Sequence, residues 1–460
     1  MERSNPRESE SCREIPIEVL PEILLRLPTK DIIRSSCVSK LWHSVAGDPS
    51  FRKLHAADHL AAPSESEALL VSENREPGRR DEASVFNLSS GKAMCHVAIP
   101  SGYGLANICN GFLCFALNDD NGYGYDQAPA LVCNPITGET LELPEAPAIS
   151  VPSGVIYLSH RFILGFSPST KEYKMFRLSF PRDYKQGLKI NYIAVYTLGG
   201  NGGWRQYSYL SQFCPSHTLL APEPTPLHID GDLYVPVETG PIYTLDGVCE
   251  RGARMLVLNV ATERCCTYLL PYSYDVGYHP AWKDMLAYGF ELNGQMCLAV
   301  NVLCPRRRLQ FWVMTPPGEL EYKDDRKLYW DMRYSFEMGD EPCYVFRPRG
   351  AWLDHAKMLC YRHGDSLYKH DTEGHSSSSD HGFRLFDEQL ELPEAPSKPS
   401  CSCRWNIYGG YRPSFLSPLT FALPPSQGEK GKKRQFEHTL IHAVKQSKCR
   451  NERTRVNQHQ

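Results

Sequence analysis

From Ile15 to His55 the apolar positions fall at helical spacing. Ile17, Leu20, Leu24 and Leu27 recur every three or four residues, as one face of a 3.6-residue period requires. Pro21 suits a first helical turn, where its missing N–H is no loss, and Pro28 closes the segment. The pattern predicts a second helix capped by Thr29 and carrying Ile32, Ile33 and Cys37. It predicts a third, capped by Ser39 and carrying Leu41, Trp42 and Val45, which Asp48-Pro49 ends. From Ala68 to about Leu423 the texture changes to short runs of Val, Ile, Leu, Tyr and Phe between Gly, Pro, Asn and Asp clusters, which predicts many short strands. ICNGFLCFAL breaks at Asn110-Gly111, LHIDGDLYVPV at Asp230-Gly231 and MLAYGFELNGQMCLAVNVL at Asn293-Gly294. Each break is the turn signal of a hairpin. Longer turns are expected at Asn134–Gly138, Ser167–Thr170, Gly199–Gly203 and Asn259–Glu263.

The strand region resembles itself. NPITGETLELP (134–144) and NVATERCCTYLLP (259–271) share an Asn, a Thr three residues on and a terminal Leu-Pro, and LELPEAP occurs at 141–147 and again at 390–396. All-β repeats of about 40–50 residues suggest a propeller of small meanders, with room for about seven or eight blades and five or six readable. A large β-sandwich is the other all-β architecture open to such a chain. The expected fold class is therefore α+β in two parts, a three-helix bundle followed by a large all-β, propeller-like repeat domain. Its segments are a polar N-terminus at 1–14 read as disordered, the helical module at 15–55, a linker at 56–67, the β domain at 68–423, and a basic tail at 424–460.

Three short helices cannot bury so much apolar surface among themselves. Each fully buried Leu, Ile or Trp is worth roughly 1.5–3 kcal/mol, so something must cover the excess. The cover is either the rest of the chain, with the bundle as a cap on the β domain, or another protein.

Composition narrows the function without naming it. A net charge of −3 and a pI near 6.6 make no case for nucleic acid, and no apolar run approaches a membrane span. The first residues lack the apolar core of a signal peptide. The 17 cysteines are odd in number and scattered, and Cys109, Cys114 and Cys297 sit in apolar runs as small hydrophobes, which points to reduced thiols in cytoplasm or nucleus. From Glu429 onward nine Lys/Arg face three acids, a pattern of a solvated tail or a nuclear-import signal.

The helical segment carries a resemblance. Leu20-Pro21-x-x-Leu24, Leu27-Pro28, Ile33-Arg34-x-x-Cys37-Val38-Ser39-Lys40-x-Trp42 and Asp48-Pro49-x-Phe51 resemble the F-box motif. The β region is similar to the F-box-associated domain of the large plant F-box family, through NGFLCF, VCNPITGE, LGFSPSTKEYKMFRL, HIDGDLYV and YGGYRPSFLSPL. It departs at Tyr234-Val235 and carries a loop, 375–382, that the pattern does not place. The resemblance implies a Skp1-type adaptor bound through Leu20, Pro21, Ile23, Leu24, Leu27, Pro28, Ile32, Cys37, Val38 and Trp42, and through it cullin and RING subunits. It also implies a β domain that holds a target protein for ubiquitylation.

Catalytic motifs are not legible. GFSPS (165–169) fails the G-x-S-x-G pattern, and GGNGG (199–203) reads as a hairpin turn rather than a phosphate cradle. Cys401-x-Cys403 with His438 and His442 has the wrong spacing for zinc, and His355, Cys360 and His363 read as hairpin residues. Trp204, Trp282, Trp312, Trp330, Trp352 and Trp405 read as blade core. No metal, cofactor, nucleic acid or membrane is expected as a ligand. The expectation is a non-catalytic recognition subunit of an SCF-type ubiquitin ligase. An F-box scaffold without ligase role, or a propeller enzyme, are the other readings.

Overall fold

Among the described residues four short helices come first, one more than the apolar spacing predicts. They are α1 (Leu20–Leu25), α2 (Thr29–Ser35), α3 (Lys40–Gly47) and α4 (Pro49–His59). Pro21 sits in the first turn of α1. Ser39 caps α3, its hydroxyl accepting the Trp42 N–H at 3.3 Å. The expected Thr29 cap is corrected: Thr29 is the first residue of α2, Pro28 holds the cap position, and no side chain caps the helix. The Thr29 hydroxyl instead donates to the Pro413 carbonyl at 3.1 Å, near the other end of the chain. Asp48-Pro49 ends α3 as expected but also begins α4. Asp48 Oδ1 accepts the N–H groups of Ser50 and Phe51, each at 2.9 Å, and Pro49 fits the first helical position as it cannot fit an interior one. The helical module thus runs past His55 to His59.

The computed structural model describes residues 19–59, 67–73, 81–88, 90–117, 128–149, 158–181, 192–207, 218–220, 225–239, 242–243, 249–250, 253–270, 287–292, 294–302, 308–315, 329–337, 352–354, 358–363, 366–371, 388–390 and 404–422. The tail, Cys401, Cys403, His438, His442, Trp282, His355 and the 375–382 loop lie outside the described residues.

The β region is a succession of antiparallel meanders. Blade one takes β1 (Glu67–Glu73), β2 (Asp81–Asn87) and β3 (Lys92–Ile99). Blade two is β4 (Tyr103–Cys109), β5 (Phe112–Leu117), β6 (Leu131–Asn134) and β7 (Glu139–Glu142). Blade three is β8 (Leu158–Ser167), β9 (Glu172–Pro181), β10 (Tyr192–Thr197) and β11 (Arg205–Tyr207). Before blade four comes β12 (Thr218–Leu220), which pairs with its second strand. That blade is β13 (Leu227–Ile229), β14 (Asp232–Thr239), β17 (Ala253–Asn259) and β18 (Cys265–Leu269), with a small ribbon of β15 (Ile242–Tyr243) and β16 (Cys249–Glu250) between. Blade five is β19 (Ala287–Leu292), β20 (Gln295–Val302), β21 (Arg308–Thr315) and β22 (Tyr329–Glu337). Blade six is β23 (Trp352–Asp354), β24 (Met358–His363), β25 (Ser366–Asp371) and β26 (Glu388–Leu390). Last comes β27 (Arg404–Tyr411), which returns to pair with β1 and completes blade one as β27-β1-β2-β3.

Among the described residues six meanders therefore stand where chain length alone had allowed seven or eight, and those of blades two and four are joined in one sheet by a parallel bridge between Leu227 of β13 and Ile108 of β4. Of the first strands, β4 approaches β8 and β13, β13 approaches β19, and β19, β23 and β27 approach one another. Pairing β27 with β1 joins the two ends of the β region in one sheet.

Side-chain alternation then packs each blade on two neighbours. On blade three, Leu164, Phe166, Tyr173 and Met175 join the core shared with blade two. Ile163, Phe176 and Leu178, on the opposite face, join the core shared with blade four. Further clusters bind blades one to two, four to five, and five and six to one. Cys109, Cys114 and Cys297 are buried in these cores, as their apolar runs predict. Trp405 is buried there too, while Trp204, Trp312 and Trp330 pack at the margins. Burial pushes the Cys95 and Cys133 thiols up to about 12, which keeps them protonated. Buried Asn107 imitates a strand partner: its Nδ2 donates to the Leu164 carbonyl at 2.8 Å and its Oδ1 accepts the Leu164 N–H at 2.9 Å, stitching blade two to blade three.

The self-similarity has a physical cause. In the turns starting at Asn87, Asn134 and Asn259, the Asn oxygen accepts a backbone N–H two or three residues on. The fifth residue in each, Gly91, Gly138 or Glu263, takes positive φ and donates its N–H to the Asn carbonyl. All three turns join the third and fourth strands of their blades. Ser167 makes the same turn between the first and second strands of blade three.

Candidate partner-binding site

The four helices close around a small core of Leu20, Leu24, Ile32, Ala46 and Phe51, and one further residue completes it from far along the chain: Phe415, 7% exposed. Ile136, from the β6–β7 turn, packs at the margin of the same cluster. The His55 ring sits edge-on to Phe415 with centroids 6.2 Å apart, and its Nε2 bonds the Leu27 carbonyl at 2.9 Å. Arg52 reaches Glu139 of β7 at 3.5 Å, and the Thr29–Pro413 bond lies in the same seam. The β domain thus supplies part of the cover that the apolar count demanded. The bundle has no core of its own that excludes the β domain.

The segment after β27 holds this seam in place. Asn134 Nδ2 donates to the carbonyls of Ser414 (2.8 Å) and Leu416 (2.7 Å), while its Oδ1 accepts the Ile136 N–H at 2.8 Å. The buried Tyr411 hydroxyl donates to the Gly111 carbonyl at 3.0 Å. One stretch, 411–416, therefore closes the ring, crosses blade two and enters the helical core. Its role was not legible from the sequence, because PSFLSPL has neither helical nor strand periodicity.

The residues that the resemblance assigns to an adaptor divide into two groups. Leu20, Leu24 and Ile32 are buried in the joint core, and Leu27 and Trp42 pack partly against it. Pro21 and Ile23 are half-buried. Pro28, Cys37 and Val38 are exposed, Val38 at 70%. Val19 and Leu41, which the assignment omitted, are also exposed apolar residues, as is Leu54 on α4. Val38 and Leu41 flank the α2–α3 junction and lack any burial that would explain them. The arrangement can bind through shape and apolar contact. Among the described residues no group of three or more His, Cys, Asp or Glu could hold a metal. The Gly199–Gly203 stretch is the turn between β10 and β11, as expected.

Comparison with known proteins matches both parts. Residues 13–54 match the F-box domain, and residues 64–240 match the F-box associated beta propeller domain. Two F-box proteins of Arabidopsis thaliana are 30% identical over 245 residues and 29% identical over 243, each alignment covering 51% of this chain. The chain spans 57% and 53% of those relatives' own lengths. Among solved structures, the β-propeller domain of the Trilobed protease from Pyrococcus furiosus is 10% identical, covering 68% of this chain and 92% of that one, with a TM-score of 0.31. That likeness is too distant to inform function.

Proposed function

We propose that this F-box protein, with its F-box-associated propeller, is the target-recognition subunit of a cullin–RING ubiquitin ligase, working in the cytoplasm or nucleus. The observation that carries the reading is the pairing, in one chain, of an F-box that keeps Val38 and Leu41 exposed with a propeller domain, six blades among the described residues, packed against it. A Skp1-type adaptor would cover the exposed apolar residues and connect the chain to cullin and RING subunits. The propeller loops would hold the target, since loops on a rigid scaffold carry specificity.

The contribution would be positional. The chain itself makes and breaks no bonds; it holds a target lysine near the charged ubiquitin carrier and so raises their effective concentration. Docking the F-box on blade two through Phe415 and Asn134 fixes the direction in which the target is presented. Affinity purification with and without proteasome inhibition tests this reading. The adaptor and a cullin should co-purify, and a set of further proteins should rise when the proteasome is blocked. An adaptor without cullin, or a protein set that inhibition leaves unchanged, would replace the ligase role by a scaffold.

A further inference from the structure

A cleft of about 510 Å³ lies where α2 meets the outer edge of blade one. One wall is helical, formed by Lys30, Ile33 and Arg34. The other is the start of β3, Lys92–Cys95, with Ile136 contributed by blade two. Neither domain forms this cleft alone.

Its chemistry is one-sided. Lys30, Arg34 and Lys92 line it, and no described lining residue is a carboxylate. Arg34 meets Asp31 at 3.3 Å in an i,i+3 pair, yet its side chain is 79% exposed. Most of its fork therefore remains open to an incoming carboxylate. Ile33, Met94 and Ile136 line the same cleft, each packed at the margin of a core rather than inside one.

The wall is elongated. Four consecutive strand residues span about 10 Å, which suits an extended chain better than a compact anion. β3 is the last strand of its sheet, and among the described residues no strand pairs with its outer edge. The register skips from Val85–Cys95 to Phe86–Ala93, so Met94 is the extra residue of a bulge. A bulge turns an edge strand and interrupts a long ladder, so side chains rather than continuous backbone pairing would set the choice of ligand.

We propose that this cleft docks an extended acidic segment of a partner protein. Carboxylates of that segment meet Lys30, Arg34 and Lys92, and its intervening apolar side chains rest on Ile33, Met94 and Ile136. The assignment stands on the cleft itself and does not require the ligase role. The test is an array of random heptapeptides probed with the purified full-length chain and with its R34E/K92E variant. Both substituted side chains are exposed, so the variant should fold as the parent does. The parent should enrich peptides carrying two or more Asp or Glu at alternate positions, and the variant should bind those at least tenfold more weakly and prefer Lys or Arg instead. Enrichment without regard to charge, acidic binding that survives in the variant (as attraction to the basic tail would), or displacement by inorganic phosphate at matched ionic strength would each overturn the proposal.

Discussion

Gly111→Ala should unfold the ring at its seam, lowering stability by about 4 kcal/mol or more, at the extreme of what single substitutions do. Gly111 has φ +80°, and an added Cβ would lie 2.6 Å from Ser414 Cβ, 2.8 Å from the Arg412 carbonyl oxygen and 2.9 Å from the Ser414 N. Two of those atoms are backbone, so no rotamer change relieves the clash. The segment that must retreat is the one whose Tyr411 hydroxyl bonds Gly111 and whose Ser414 and Leu416 carbonyls bond Asn134. Gly138→Ala is the matched control. Gly138 also has positive φ, +71°, but nothing lies within 4 Å of its added Cβ. That change should cost only the backbone strain, about 1–2 kcal/mol. Urea unfolding of the two variants reads the difference, and equal losses would show that the close approach of the C-terminal segment is not what Gly111 serves.

Phe415→Ala should free the helical module from the propeller. The removed ring fills the joint core with Leu20, Leu24, Ile32 and Phe51, and truncations of buried Phe cost about 3–5 kcal/mol. Because the loss falls on one side of the seam, helical signal should melt at lower temperature while the β signal stays near its original midpoint. Limited proteolysis should then cut within 19–59 first. A variant that keeps a single transition for both signals would contradict a seam centred on Phe415. The same geometry bears on domain separation. A fragment beginning near Ser64 would leave Phe415 and Ile136 facing solvent, so the two parts are less independent than the polar linker alone suggests.

Local chemistry in the sequence foretold much of the fold. Asn110-Gly111 and Asp230-Gly231 form two-residue hairpin turns with both residues at positive φ, because few other pairs tolerate that backbone. The shared Asn and Thr of 134–144 and 259–271 mark the same turn in two blades. Ser39 caps its helix as its position predicts. What the sequence did not disclose is long-range. Asp48-Pro49 reads as a stop because a proline after an acid ends helices as readily as it begins them. Thr29 has the right identity for a cap, but its hydroxyl is drawn to Pro413, more than 380 residues away. The blade number depends on whether β27 joins β1, and nothing local in WNIYGGY states its partner. The residues assigned to an adaptor were blurred for a related reason. The resemblance assigns Leu20 and Val38 alike, and only packing separates the buried residue from the exposed one.

The most direct test of the recognition-subunit reading is a binding titration of the purified full-length chain with a Skp1-type adaptor. A one-to-one complex should form, with a buried area of roughly the standard size, about 1,600 Å². V38D/L41D should abolish it while leaving the melting curve unchanged, because both side chains are exposed and lie outside the joint core. L419D, at the 3-10 turn of Pro418–Phe421, should bind as the parent does. Absence of a complex with the parent chain, or full affinity in V38D/L41D, would contradict the account.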